Sequence, residues 1–81
     1  MMKARVTITL KSGVLDPQGK AIEGALGGLG FDGATNVRQG KIIELTLAEQ
    51  DEAKARARID EMCRKLLANP VMENYAIELT A

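Results

Sequence analysis

The chain has 81 residues, and its 11 Lys and Arg balance 11 Asp and Glu, so the formal net charge is zero. Without a positive field, and with Phe31 and Tyr75 as its only aromatic residues, it lacks what a nucleic-acid binder uses to hold phosphates and stack bases. It contains no histidine and a single cysteine, Cys63, which removes the commonest general base, the commonest metal ligand and any disulfide framework.

Length alone implies one domain, residues 1–81. A domain this small buries only about 60–65% of its unfolded surface, so further burial against other subunits is expected. The apolar runs are too short to span a bilayer, and Lys3 and Arg5 interrupt any leader, so no membrane segment or signal peptide is expected. A lone thiol without a secretion signal points to a reducing cytoplasm.

Lys3 to Lys11 alternate strictly. Ala4, Val6, Ile8 and Leu10 face one way and charged or hydroxyl side chains the other, which predicts a strand with one buried face. Asp16-Pro17 then marks a helix start: the carboxylate can accept from free first-turn amides, and proline fits where no donor is needed. Ile22, Ala25, Leu26 and Leu29 follow at helical spacing, and Gly30 is placed to take a left-handed conformation past the helix end. That reading disposes of Gly28–Gly33, GLGFDG, which matches the dinucleotide pattern G-x-G-x-x-G. The pattern binds pyrophosphate only where a strand enters it and a helix leaves it; here the order is reversed. Gly24, Gly27 and Gly28 lie inside the same helix, where each is unfavourable.

Thr35 to Gln39 is a short, polar strand candidate, joined through Gln39-Gly40 to a stronger one over Lys41 to Leu47. From about Gln50 to Leu67 a second helix carries Ala55, Ile59, Met62, Cys63 and Leu66 on its apolar stripe. Its other side carries Glu52 with Arg56, Asp60 with Arg64 and Glu61 with Lys65, each at i,i+4 spacing. Asn69-Pro70 stops it, and Tyr75, Ile77 and Leu79 alternate in a final strand. The order is βαββαβ, an α+β, ferredoxin-like arrangement: an antiparallel sheet with two helices on one face. The free sheet face, with Thr7, Thr9, Ile42, Glu44, Thr46, Ala76, Glu78 and Thr80, carries few charges and suits self-association.

Candidate chemistry is sparse. Cys63 sits on an apolar stripe, where a thiol is structural, and Asp16 reads as a cap. Lys20 and Arg38 are single basic residues, which make weak phosphate ligands, and neither a metal-ligand cluster, a nucleophile elbow nor a phosphate loop is present. The residues therefore point to a non-catalytic subunit or a small regulatory domain, without catalytic, cofactor or metal residues.

Three stretches carry more. Gly13–Ala21 (GVLDPQGKA), Val37–Leu45 (VRQGKIIEL) and Met62–Val71 (MCRKLLANPV) resemble, in order and spacing, the PurS family, the small subunit of phosphoribosylformylglycinamidine synthase. The resemblance implies a place in purine biosynthesis, in the step that converts formylglycinamide ribonucleotide, glutamine and ATP to formylglycinamidine ribonucleotide, glutamate, ADP and phosphate. It further implies a large synthetase subunit that uses ATP and magnesium, a glutaminase subunit, and a homodimer or homotetramer of small subunits bridging them for ammonia transfer. Candidate partner contacts are the first-helix entrance at Asp16, Gln18 and Lys20, the hairpin tip at Arg38 and Lys41, and the loop at Asn69, Pro70, Val71 and Met72. Val71 and Met72 are the stronger ones, being apolar residues in a loop. The alternatives are an ACT-like domain that binds amino acids, which shares the element order, and an acylphosphatase-like enzyme, whose arginine-bearing anion loop Ser12–Leu15 does not supply.

Overall fold

The computed structural model describes all residues, 1–81. Its elements are β1 (Met2–Leu10), α1 (Pro17–Gly28), β2 (Gly40–Leu47), α2 (Glu52–Met62) with a π-helical turn over Cys63–Leu67, and β3 (Glu73–Thr80). The three strands form one antiparallel sheet in the order β2-β1-β3. Val6 lies opposite Ile43 on one side and Ile77 on the other, which fixes the register. One face of the sheet therefore collects Ala4, Val6 and Ile8 with Ile43, Leu45, Tyr75, Ile77 and Leu79; a slip of one residue would turn that set outward. The core forms where Ala55, Ile59 and Cys63 of α2 and its π turn meet Ala4, Val6 and Ile8.

The ferredoxin-like α+β class holds, but the sheet has three strands and not four. Thr35–Gln39 forms no strand, and Gln39-Gly40 is not a hairpin turn. Backbone donors in this stretch bond to side chains instead: the Val37 amide donates to Glu23 and the Gln39 amide to Asp16. A segment held that way has no ladder to offer a neighbouring strand.

The helix layer also differs from the expectation of two helices on one face. The covering helix is α2, which runs against β3; in α1 only Gly19 is buried. The molecule measures 48 × 26 × 14 Å. A nine-residue strand spans about 30 Å and a twelve-residue helix about 18 Å, so the long axis matches sheet and α1 laid end to end. α1 is an arm projecting from the sheet, with Ile22, Leu29 and Phe31 exposed.

Both helices start as the residues dictate. Asp16 caps α1 by accepting from the Gly19 amide at 2.9 Å, and Asp51 caps α2 through Ala53 and Lys54 at 2.9 and 3.2 Å. Gly30 ends α1 at φ 95°, and the Phe31 amide returns to the Leu26 carbonyl at 2.9 Å, a Schellman closure. The end of the second helix departs from expectation. Ala68 donates to Cys63 at 3.0 Å, an i→i−5 bond, so the helix gains a residue in its last turn. That rotation carries Leu66 out to solvent, 82% exposed, and leaves Leu67 partly covered.

Candidate functional site: a polar hub at one end of the sheet

The end of β1 enters a short loop, Lys11–Leu15, and there the chain is tied to three distant segments. Arg38 donates from one guanidinium nitrogen to the carbonyls of Val14 (2.9 Å), Lys11 (3.0 Å) and Leu10 (3.4 Å). Asp16 accepts from Gly19 and, at 2.6 Å, from the amide of Gln39. Glu23, one turn on from Gly19, accepts from the Val37 amide at 3.0 Å. The Lys11 amide donates to the Met72 carbonyl at 2.8 Å, joining the loop before β3 to the same end.

Burial explains the hub's cohesion. Asp16 is 4% exposed, yet both carboxylate oxygens are occupied by amides. The Gln39 and Gly19 amides, with a smaller contribution from the Arg38 charge, hold its pKa below the usual carboxylate value, against the opposing effect of burial. Gly19 is required here for space: a Cβ would lie 2.5 Å from the Val37 carbonyl oxygen and 2.6 Å from an Asp16 oxygen.

The nine contact candidates divide clearly. Asp16, Gln18, Lys20, Arg38 and Lys41 all gather around this hub, lining two clefts of about 550 and 210 Å³ on either side of Asp16. Gln18 also accepts a hydrogen bond from the Gln39 side chain. Asn69 closes its own loop: its side chain accepts from Val71 at 3.0 Å and its carbonyl from Glu73 at 2.7 Å. Val71 is 81% and Met72 43% exposed, and Leu15, on the loop that Arg38 holds, is 70% exposed. Glu23 and Gln39 complete the hub; their bonds to Val37 and Asp16 span more than a dozen residues and leave no local pattern in the sequence.

The chemistry available at the hub is that of a clasp. Its carboxylates are bonded to amides and its guanidinium to carbonyls, so these groups fix backbone. Elsewhere, Tyr75 donates to Asp60 at 2.6 Å while Arg64 pairs with Asp60 at 2.9 Å. That bond to the carboxylate raises the Tyr75 pKa, and burial raises that of the Cys63 thiol, which favours its protonated, unreactive form. No three Cys, Asp or Glu side chains converge as a metal site.

Comparison with known proteins places this architecture. Residues 3–81 match the family PurS, described as phosphoribosylformylglycinamidine (FGAM) synthase. A Synechocystis protein, the PurS subunit of phosphoribosylformylglycinamidine synthase, is 53% identical over 77 residues, covering 95% of this chain and 77% of that one. The crystal structure of Methanocaldococcus jannaschii PurS, one of the subunits of formylglycinamide ribonucleotide amidotransferase, superposes with a TM-score of 0.88 at 45% identity, covering 99% of this chain and 96% of the other. A chain of PurLQS from Thermotoga maritima superposes with a TM-score of 0.86 at 28% identity, covering 99% of each chain. With the match running from the first strand to the last residue, the chain belongs to the PurS family.

Proposed function

We propose that this chain is the small assembly subunit of a phosphoribosylformylglycinamidine synthase in purine biosynthesis, and that it works without catalytic groups of its own. Copies of it associate, as dimers or tetramers, and bridge a glutaminase subunit to a large synthetase subunit. ATP and magnesium are used by the large subunit, in the cytoplasm. The chain's part is geometric: it fixes the two active sites so that ammonia passes between them without meeting bulk water. Outside, ammonia is protonated, and ammonium has no lone pair with which to attack an activated amide.

The observation that carries this reading is the amount of surface left open. The chain exposes 5723 Å². A compact monomer of 8.7 kDa exposes about 4,700 Å². The excess, roughly 1,000 Å², is on the order of what one partner contributes to a standard protein interface. A chain that buries 10 of its 81 residues is built to be completed by others. The open sheet face adds a second surface, where Ile42 is 59% exposed beside Thr7 and Ala76. An ACT-like amino-acid site is the less favoured reading, because the hub's polar groups are already bonded to backbone.

Reconstitution tests the proposal. The large and glutaminase subunits are assayed with and without this chain, using glutamine or ammonium as nitrogen donor. Glutamine-dependent formation of formylglycinamidine ribonucleotide is expected only when the chain is present, and ammonium-dependent formation in both cases. Full glutamine-dependent turnover in its absence sinks the proposal.

A further inference from the structure

The GLGFDG stretch ends in Asp32-Gly33, a pair to which neither the helix cap nor the assembly role gives a purpose. The two residues form an exposed turn between the left-handed cap of α1 at Gly30 and Val37, whose amide Glu23 holds. One long bond closes the turn, from the Ala34 amide to the Phe31 carbonyl at 3.4 Å. The Gly33 amide donates to no protein group, and the Asp32 carboxylate pairs with no cation. An amide without a protein partner leaves its nitrogen open to the side chain before it. Space is also free: a Cβ built at Gly33 would meet nothing within 4 Å. Glycine brings no side chain to crowd its own nitrogen, and its backbone turns more freely than that of any other residue.

We propose that Asp32-Gly33 is a site of covalent self-modification, at which the chain isomerises to isoaspartate. The Gly33 nitrogen attacks the side-chain carboxyl carbon of Asp32. The new N–C bond closes a five-membered succinimide, and the amide proton and the carboxyl hydroxyl leave together as water. A second water then reopens the ring. Cleavage at the side-chain carbonyl restores aspartate; cleavage at the main-chain carbonyl leaves the backbone running through Cβ and Cγ of residue 32. The product has the composition of the starting chain and one more backbone atom in the turn. Its new carboxylate, on Cα, is a methyl acceptor for carboxyl methyltransferases that use S-adenosylmethionine. The fold closes the same route elsewhere. Asp16 and Asn69 precede prolines, which have no amide proton. The carboxylate of Asp51 is held by the Ala53 and Lys54 amides, and that of Asp60 by Tyr75 and Arg64. The Val37 amide that follows Asn36 donates to Glu23 at 3.0 Å, and Asn74 is fixed in β3.

Peptide mapping of the folded, full-length chain after prolonged warm storage in mildly acidic buffer tests the site. Fragmentation at N–Cα bonds distinguishes isoaspartate from aspartate, and heavy-oxygen water labels residue 32 as the ring reopens. Methyl transfer from labelled S-adenosylmethionine by an isoaspartyl methyltransferase gives an independent count. Isoaspartate is expected at residue 32 ahead of every other position, preceded by a species lighter by one water. In Gly33→Ala the added methyl fits, so the circular dichroism should be unchanged while accumulation falls several-fold. In Asp32→Ala the signal at this position should be lost. Chain held unfolded in urea is the reference, and the folded chain should react within several-fold of its rate. Isoaspartate that forms only in urea would show that the fold protects the turn, and would overturn the proposal. So would modification appearing first at Asn36, Asn74 or Asp51, or a folded Gly33→Ala that reacts as fast as the native chain.

Discussion

The carboxylate of Asp16 holds the amide of Gln39, 23 residues further along the chain, at 2.6 Å while capping α1 through Gly19 at 2.9 Å. One side chain thus starts the helix and anchors the segment that leads into β2. Together with Arg38, which grips three carbonyls of the loop after β1, it sets the root of the arm by polar bonds and not by apolar packing.

The clasp leaves no room at Gly19. Gly19→Ala is expected to destabilise the chain by about 1–3 kcal/mol, because the new methyl meets the Val37 carbonyl, a backbone atom that cannot swing aside. Gly13→Ala, where a Cβ meets nothing within 4 Å, is the control and is expected to be near neutral. Urea unfolding followed by far-ultraviolet circular dichroism measures both.

Acid should loosen the same clasp. The amides of Gln39 and Gly19 lower the folded-state pKa of Asp16, so the folded chain binds that proton less readily than the unfolded chain. The stabilisation is complete above the unfolded carboxylate value of about 4 and drains as pH falls through the lowered folded value. In Asp16→Asn the loss of stability between pH 5 and pH 2 should be shallower than in the native chain, at about those pH values. Parallel slopes in the two proteins would contradict this account.

Three glycines of α1 are expected to respond oppositely to Gly19. A Cβ added at Gly24, Gly27 or Gly28 meets nothing within 4 Å, and none of the three has a positive φ. Alanine at each should stabilise the helix by about 0.5–1 kcal/mol. Gly30, at φ 95°, should instead lose about 1 kcal/mol when changed to alanine. Thermal unfolding of the four single variants ranks them.

The loop before β3 is expected to touch a partner. Val71→Asp and Met72→Asp alter side chains that are exposed on the chain alone, so the fold should persist. Recovery of the large subunit by the tagged double variant is expected to fall at least about tenfold, the equivalent of about 1.4 kcal/mol. Unchanged recovery by a folded variant removes this loop from the contact.

Local chemistry makes part of the molecule legible in advance. Asp16-Pro17 specifies the start of α1 and Gly30 its end, since a cap and a left-handed residue act over one turn. The three i,i+4 pairs of the second helix form as spaced, at 3.9, 2.9 and 2.7 Å. Period-two alternation identifies the buried face of β1 and β3, because pleating leaves a strand no other option. Val71 and Met72 are apolar residues without a core to fill, as their place after a helix-stopping proline suggests.

What the amino-acid order could not reveal is where the pieces go. Thr35–Gln39 has strand-like residues, but Glu23 and Asp16 claim its amides from α1, and only the folded chain brings them near. Leu66 belongs to the apolar stripe by count, and one i→i−5 bond turns it to solvent. α1 has an amphipathic stripe suited to its own sheet, yet it projects as an arm, because a helix pattern encodes a face to be buried and not the surface that buries it. Sequence settles what acts within a turn or a pleat; contacts between residues distant in the chain are decided by tertiary geometry.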